Sequence, residues 1–506
     1  MKKSILFPLL LLSMVAMHAQ GFDTFLRDSL DTYVKREMAR WQIPGMSIAV
    51  VKDNKVLVCK GYGNTQQSGG ESVTKDTRFM IGSNTKAMTG TQMALLAHQG
   101  KCNLNDRLQQ HLPQFSMRDP WVASHVTLTD ILCHRMGMET FQGDFTWWGS
   151  NLTDAQSYAK FARLKPVYDY RTTWGYTNMG FTLAGDVIAK LSGRSWHENT
   201  AAVLFEPLGM RNSLTRIDTA STLPAGLAMP HTVVEGKLIS IPIEPIDNLA
   251  PCGSVWSTAE DMSHWAMMLL DSGRWQGKQV LPWEVIATTR TPVSISGRVD
   301  DARRKSHYDL YGLGWGLQDI YGREMVAHTG GVNGFVSSVT LFPEEKLGIV
   351  VLTNTDANNL FQNLKWQLID LYFGQPYENV SARNFGRFSE YEKMRWNYIN
   401  AQRDSVAAGV ESDLALKAFA GTYTNEVYGK VTLQVKGNGL EMSFENHPHM
   451  TAALGRLTRD RFLTTYSDPT FGIVVTQFRT KGKKVTGLEL RCADFVEFTP
   501  YEFVKK

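Results

Sequence analysis

Strand patterns stand at both ends of the segment from Met46 to Asn354, with helical patterns between them. That order confines the segment to an α/β fold built around one sheet. A polar helix from Asp28 to Trp41 is closed by Ile43-Pro44-Gly45, and Met46–Val51 and Val56–Gly61 then flank a Lys52-Asp53-Asn54 turn, which predicts a hairpin. At the far end Glu324–His328, Gly334–Phe342 and the apolar run Ile349–Leu352 read as strands, the last of them buried. Between these ends, Gln66–Lys75 is polar loop, and Arg78–Gly82 leads into a helix from Ser83 to Gln99 that Gly100 ends. A second helix follows Asn178, with Phe181, Ala184, Gly185 and Ile188 on one face and Gly193 as its stop. A third starts near Thr258, where Ser257 or Thr258 caps and Asp261 complements the macrodipole.

The 506 residues give room for two or three domains. Residues 1–19 read as a secretory signal peptide: a Met-Lys-Lys head, an apolar stretch and a small-residue site at Met17-His18-Ala19. The chain is therefore expected to be exported, periplasmic or secreted, after cleavage near Ala19. No later segment approaches about 20 consecutive apolar residues, so no membrane span is expected in the mature chain. Residues 20–375 form the α/β domain, 376–413 a helical linker with a charged helix over Phe388–Ala408, and 414–506 a small all-β module. Five strands are legible in that module: Lys430–Val435, Leu440–Phe444, Ile473–Arg479, Gly487–Arg491 and Val496–Glu502. The net charge of +4 is spread thinly, which sets nucleic acid aside as a partner. The five cysteines are widely spaced with no C-x-x-C pair, so neither a disulfide scaffold nor a zinc site is indicated. His447-Pro448-His449 reads as a polar loop, and no metal or cofactor is called for.

Chemistry enters with Ser83-x-x-Lys86. At a spacing of three residues on a helix the hydroxyl and the amine leave the same face, so the lysine can handle the serine proton. A serine in the first helical turn also gains from unpaired N–H groups and the positive end of the dipole. The pattern recurs at Ser72/Lys75, in a polar loop, and at Ser157/Lys160, in a helical stretch (Asp154–Leu164) where both read as ordinary solvated residues. Ser83 alone follows a buried apolar segment and opens a helix that Met88, Met93, Leu95 and Leu96 would bury. A lysine base needs a lowered pKa, hence burial and partners. Of three Tyr-x-Asn occurrences, at Tyr176, Tyr398 and Tyr423, only Tyr176-Thr177-Asn178 lies in the α/β domain. His328-Thr329-Gly330-Gly331 is placed at a strand end, its glycines allowing close backbone approach to a ligand.

Ser83-Asn84-Thr85-Lys86, Tyr176-Thr177-Asn178 and His328-Thr329-Gly330-Gly331, in that order, resemble the class C β-lactamase and D-amino-acid peptidase family of serine hydrolases. Leu104-Asn105-Asp106 with Leu112-Pro113, Thr129–Gly137, Glu206–Met210 and Pro251–Met262 are similar too, so the likeness runs from about Asp31 to Asn354. It implies a β-lactamase/transpeptidase-like domain, an antiparallel sheet flanked by helices with a helical subdomain, followed by a lipocalin-like or β-barrel module. It also implies acylation of Ser83, general acid and base work shared by Lys86 and Tyr176, substrate contacts from His328, Thr329 and Gly330 and from Asn178, which would orient the substrate amide or the lysine, and an oxyanion hole from the backbone N–H groups of Ser83 and Gly331. Many β-lactamases carry lysine where His328 stands. A histidine resembles the D,D-peptidases, D-aminopeptidases and esterases of the family more, because a neutral imidazole offers a substrate carboxylate no permanent cation.

The expectation is thus a serine hydrolase acting on a small-molecule or peptide amide or ester, with weak or no β-lactamase activity. The competing class is a penicillin-binding or sensing protein that acylates with little turnover. His134 reads as a satisfied structural histidine, and Cys252 as a buried thiol. Phe141, Phe145, Trp147 and Trp148 either rim a pocket or anchor their loop.

Overall fold

The computed structural model describes residues 21–217 and 223–506; the expected signal peptide lies outside them. Eight antiparallel strands form one sheet: β1 (Gly45–Lys52), β2 (Lys55–Gly63), β3 (Ser294–Asp301), β4 (Ser306–Tyr311), β5 (Gly316–Ile320), β6 (Arg323–Val332), β7 (Phe335–Phe342) and β8 (Leu347–Thr353). Their order is β2-β1-β8-β7-β6-β5-β4-β3, so the first hairpin joins the last strands through the β1/β8 ladder, one strand in from the β2 edge. Both β7 and β8 are buried along their whole length, as continuous Val/Ile/Leu runs require.

Helices α1 (Leu30–Trp41), α2 (Thr85–His98), α3 (Asn178–Ser192), α4 (Ala259–Leu270), α5 (Leu360–Tyr372) and α6 (Val380–Ala408) surround this sheet. On one face α1 and α5 pack with β1 and β8 through Leu30, Val34, Ile48, Ile349 and Leu364. On the other, α2, α3 and α4 share a core with Ala49, Val339 and Leu352. Gly193 ends α3 with φ +73, and the Thr258 hydroxyl accepts from Asp261 N–H at the start of α4, as their sequence signals indicate.

The C-terminal strands β9 (Gly421–Asn425), β10 (Gly429–Lys436), β11 (Gly439–Phe444), β12 (Thr451–Arg456), β13 (Arg461–Tyr466), β14 (Ile473–Lys481), β15 (Lys484–Leu490) and β16 (Tyr501–Lys505) close as an up-and-down barrel. Eight strands leave an interior that side chains fill, here Tyr423, Tyr428, Phe444, Phe462, Phe478 and Phe503.

Several expectations are corrected. Val496–Glu502 is not one strand: the segment between β15 and β16 is mostly loop, and the strand begins at Tyr501. His328-Thr329-Gly330-Gly331 lies inside β6, in register with Val339–Val336 of β7, rather than at a strand end. His447-Pro448-His449 is a loop as expected, but His447 is buried in it, donating from Nε2 to the Trp148 carbonyl and accepting the Tyr428 hydroxyl at Nδ1. Ser157 is fully buried rather than solvated, because its helix Asp154–Phe161 turns Ser157 and Phe161 inward. Its partner Lys160 donates to the barrel carbonyls of Val427 (2.9 Å) and Tyr428 (2.8 Å).

Candidate active site

The apolar segment Phe79-Met80-Ile81 is buried under β6 and delivers Gly82 in a left-handed conformation, φ +54. Glycine is required there twice over, since a Cβ would also meet the Gly331 nitrogen at 2.8 Å. Gly330 is pressed equally hard from the other side: a Cβ on it would lie 1.8 Å from the Ile81 carbonyl oxygen. Two segments some 250 residues apart are thereby brought into backbone contact. Ser83 follows in a single 3-10 turn, Gly82–Asn84, and the α-helix proper starts at Thr85.

One turn on, Lys86 is 0% exposed. Its Nζ donates to Asn178 Oδ1 at 2.7 Å and to the Cys252 carbonyl at 2.9 Å, and stands 3.0 Å from Ser83 Oγ. Burial lowers the amine to about 8, with Cys252 and Asp144 pulling the other way. In the neutral form two N–H bonds serve the two carbonyl oxygens. The lone pair is then left to face Ser83.

Tyr176 comes from the turn before α3 and is buried with it. The Lys86 Nζ lies 4.7 Å from its ring centroid. Burial pushes the phenol well above its ordinary pKa, and Ser83 is the group that draws it back. Its hydroxyl has no well-formed hydrogen bond among the described residues. His134 lies against this ring, centroids 4.2 Å apart and planes tilted by 31°, its Nδ1 accepting Thr177 N–H at 2.9 Å. The expectation of a satisfied histidine is therefore half met, because Nε2 has no partner among the described residues.

His328 forms the opposite wall. Nδ1 donates to the Thr329 carbonyl at 2.6 Å, which leaves Nε2 to accept the Tyr311 hydroxyl at 2.9 Å. Burial and the Lys86 charge bring it down to about 3, so it is a neutral imidazole with both nitrogens occupied. Beyond it, β5 stops pairing at Ala327, and β6 from His328 to Val332 has, among the described residues, a strand partner only on the β7 side. This open edge borders a cleft of about 1130 Å³ that Ser83, Tyr176, Asn178 and His328 line together.

Of the candidate residues named from the sequence, Ser83, Tyr176, Asn178, His328, Thr329 and Gly331 line this cleft, while Lys86 is buried behind Ser83 and Gly330 lies against the Ile81 carbonyl. Three others were not legible. Tyr311 is far from any motif, the Cys252 carbonyl is a backbone group, and Asp144 accepts from Asn178 Nδ2 at 2.6 Å without a pattern to mark it. The four aromatics divide: Phe141 and Trp148 rim the cleft, whereas Phe145 and Trp147 are core. Phe495 and Val496, from the loop between β15 and β16, line the cleft as well. Cys252 keeps a buried thiol pushed up to about 11, and all five cysteines are free. Among the described residues no group of three or more His, Cys, Asp or Glu could hold a metal ion, and no helix is long and apolar enough to cross a membrane.

A serine, a buried lysine and a buried tyrosine meeting under a sheet strand, on this fold, define a serine hydrolase of the type that includes β-lactamases. The chain belongs to the Beta-lactamase family, whose model matches residues 30–372. Residues 407–505 match a domain of unknown function, DUF3471. The chain is 30% identical over 432 residues to the unguisins hydrolase ungD′ of Aspergillus campestris (strain IBT 28561), covering 79% of this chain and 76% of that protein. It is 25% identical over 357 residues to protein flp of Staphylococcus aureus (strain NCTC 8325 / PS 47), covering 68% and 67%. In fold it resembles the octameric penicillin-binding protein homologue from Pyrococcus abyssi, with a TM-score of 0.59 at 21% identity over 94% of this chain and 99% of that one.

Proposed function

We propose that the protein cleaves an amide or ester bond through an acyl-enzyme on Ser83, as a peptidase or esterase rather than a β-lactamase. The observation that carries this reading is the three-way contact of Lys86 Nζ with Ser83, Asn178 and the Cys252 carbonyl. Neutral Lys86 takes the Ser83 proton as Oγ attacks the substrate carbonyl. The oxyanion that develops is held by the backbone N–H groups of Ser83 and Gly331, which the Gly82/Gly330 contact keeps close together. Tyr176, too weak an acid to ionise in its buried setting, relays the proton to the leaving group. A water then attacks the acyl carbonyl, gives its proton to the same pair, and Ser83 leaves as the hydroxyl.

The neutral, fully bonded His328 supports the choice against β-lactams, since it brings no cation to a substrate carboxylate. The open β6 edge supports an extended acyl-amide, which can hydrogen-bond to a strand that lacks a neighbour. The name of the Aspergillus relative, a hydrolase of unguisins, is in keeping with hydrolysis and does not transfer a substrate. The test is Ser83→Ala assayed with a chromogenic p-nitrophenyl ester. Turnover should fall by about 10³-fold or more, whereas Ser72→Ala and Ser157→Ala should keep most of it; retained turnover in Ser83→Ala would refute the assignment. Steady turnover beyond one equivalent of released nitrophenol separates a hydrolase from a protein that only acylates.

A further inference from the structure

Two buried carboxyls take no part in the steps above: Glu497, in a loop of the barrel, and Asp144, between that loop and the Asn178 amide that meets Lys86. Asp144 Oδ2 accepts from the Asn178 amide at 2.6 Å and Oδ1 from the Trp147 indole at 2.9 Å. With its NH2 group on Asp144, Asn178 must turn Oδ1 toward Lys86, where it accepts at 2.7 Å. Asp144 thus decides which end of the amide Lys86 meets.

Asp144 opens a single helical turn, Asp144–Trp147, preceded by Gly143, which has no side chain to satisfy the first N–H groups. A capping residue cannot replace Gly143, because its φ is +99 and a Cβ would fall 2.0 Å from the Trp147 ring. Glu497, in the loop between β15 and β16, fills the role from across the molecule. Its Oε1 accepts Gly143 N–H and its Oε2 accepts Phe145 N–H, each at 2.8 Å, and the Tyr501 hydroxyl lies 3.0 Å from both oxygens. The two N–H groups flank Asp144. Phe145 itself enters the barrel end, with Tyr428, Phe471 and Tyr501 at centroid distances of 5.0, 5.8 and 6.0 Å. A buried acceptor that loses such partners is left unsatisfied, so this contact holds the turn in one place.

We propose that Glu497 and Asp144 are positioning residues through which the C-terminal barrel orients Asn178, and with it the Lys86 amine, so that the hydrolase site is complete only with the barrel docked. The proposal rests on the reading of Lys86 as the base for Ser83. Burial raises Asp144 to about 7, so near pH 8 it is largely an anion that favours the lysine ammonium through the intervening amide.

The test uses the full chain with Glu497→Gln and Asp144→Asn and a p-nitrophenyl ester, the rate being divided by the number of Ser83 sites that form an acyl adduct by mass spectrometry. Both variants should lose about 10- to 100-fold in kcat per labelled site, with KM little changed. Asp144→Asn should also move the acid limb of the pH profile to lower pH, because removing the anion lowers the lysine pKa. Fewer labelled sites with unchanged kcat per site and an unmoved limb would overturn the proposal, since that is what a purely structural role produces. Should both variants fail to fold, Tyr501→Phe removes one hydrogen bond to Glu497 and keeps the ring; a smaller drop in kcat per site is expected, and an unchanged value overturns the proposal. Glu426→Ala, which breaks an exposed pair with Arg118 at the same junction, should leave kcat within about twofold. A loss there equal to that of Glu497→Gln would assign the effect to loosened docking and overturn the specific role. Absence of a Ser83 adduct in the unaltered protein would instead sink the hydrolase reading itself.

Discussion

Lys86 has no neighbouring acid within ion-pair reach among the described residues, and its three contacts are a hydroxyl, an amide oxygen and a backbone carbonyl. Burial therefore dominates its titration and sets it near 8. Since the neutral amine is the active form, kcat/KM should rise about tenfold per pH unit below that value and level off above it. A pH profile of ester hydrolysis reads this directly; a limb near 6 would point to an imidazole instead. His328, held at about 3, contributes no limb in the neutral range. Ser83, Lys86, Tyr176 and His328 were legible because each sits in a short motif whose spacing has a chemical reason. Tyr311 and Asp144 were not, because their roles come from contacts with His328 and Asn178 that only the folded chain creates.

The Gly82 turn and strand β6 touch through backbone alone, which is why this element of the site tolerates no side chain. Gly330→Ala must push Ile81 away from the sheet. A loss of about 1–3 kcal/mol in stability is expected from such overpacking, together with a fall in activity greater than the stability change explains. Chemical denaturation alongside ester turnover checks both; an alanine variant with native stability and rate would contradict the contact. At this scale the sequence was most informative where burial is uniform. The Ile349–Leu352 run falls in β8 and Met46–Val51 in β1, whereas the largely exposed β2 was legible through the Lys52-Asp53-Asn54 turn that pairs it with β1. It was least informative for β3 to β5, because a strand such as Ser-Ile-Ser-Gly-Arg-Val-Asp-Asp at a solvated edge carries no apolar alternation. Two of the strands that the barrel hid escaped notice for a related reason. Gly421–Asn425 and Thr451–Arg456 are short and mix small and polar residues, so closure of the sheet rather than local propensity makes them strands.

The molecule as a whole joins its two parts through the active-site rim. Phe495 from the barrel loop is 42% exposed and stands over Gly331, 3.5 Å from where a Cβ there would lie. Phe498 from the same loop stacks on Phe141 at 5.9 Å. Because Phe495 is partly solvated, Phe495→Ala should leave stability nearly unchanged and widen the cleft. Esters with bulky acyl groups should then gain in kcat/KM relative to acetate esters by about 10-fold or more; an unaltered ratio would remove Phe495 from the specificity wall. The most direct test of the central claim is peptide mapping of the protein quenched during turnover of a p-nitrophenyl ester. An added acyl mass is expected on the peptide containing Ser83 and is absent in Ser83→Ala. An adduct on any other residue, or turnover with no adduct that survives in Ser83→Ala, would contradict it.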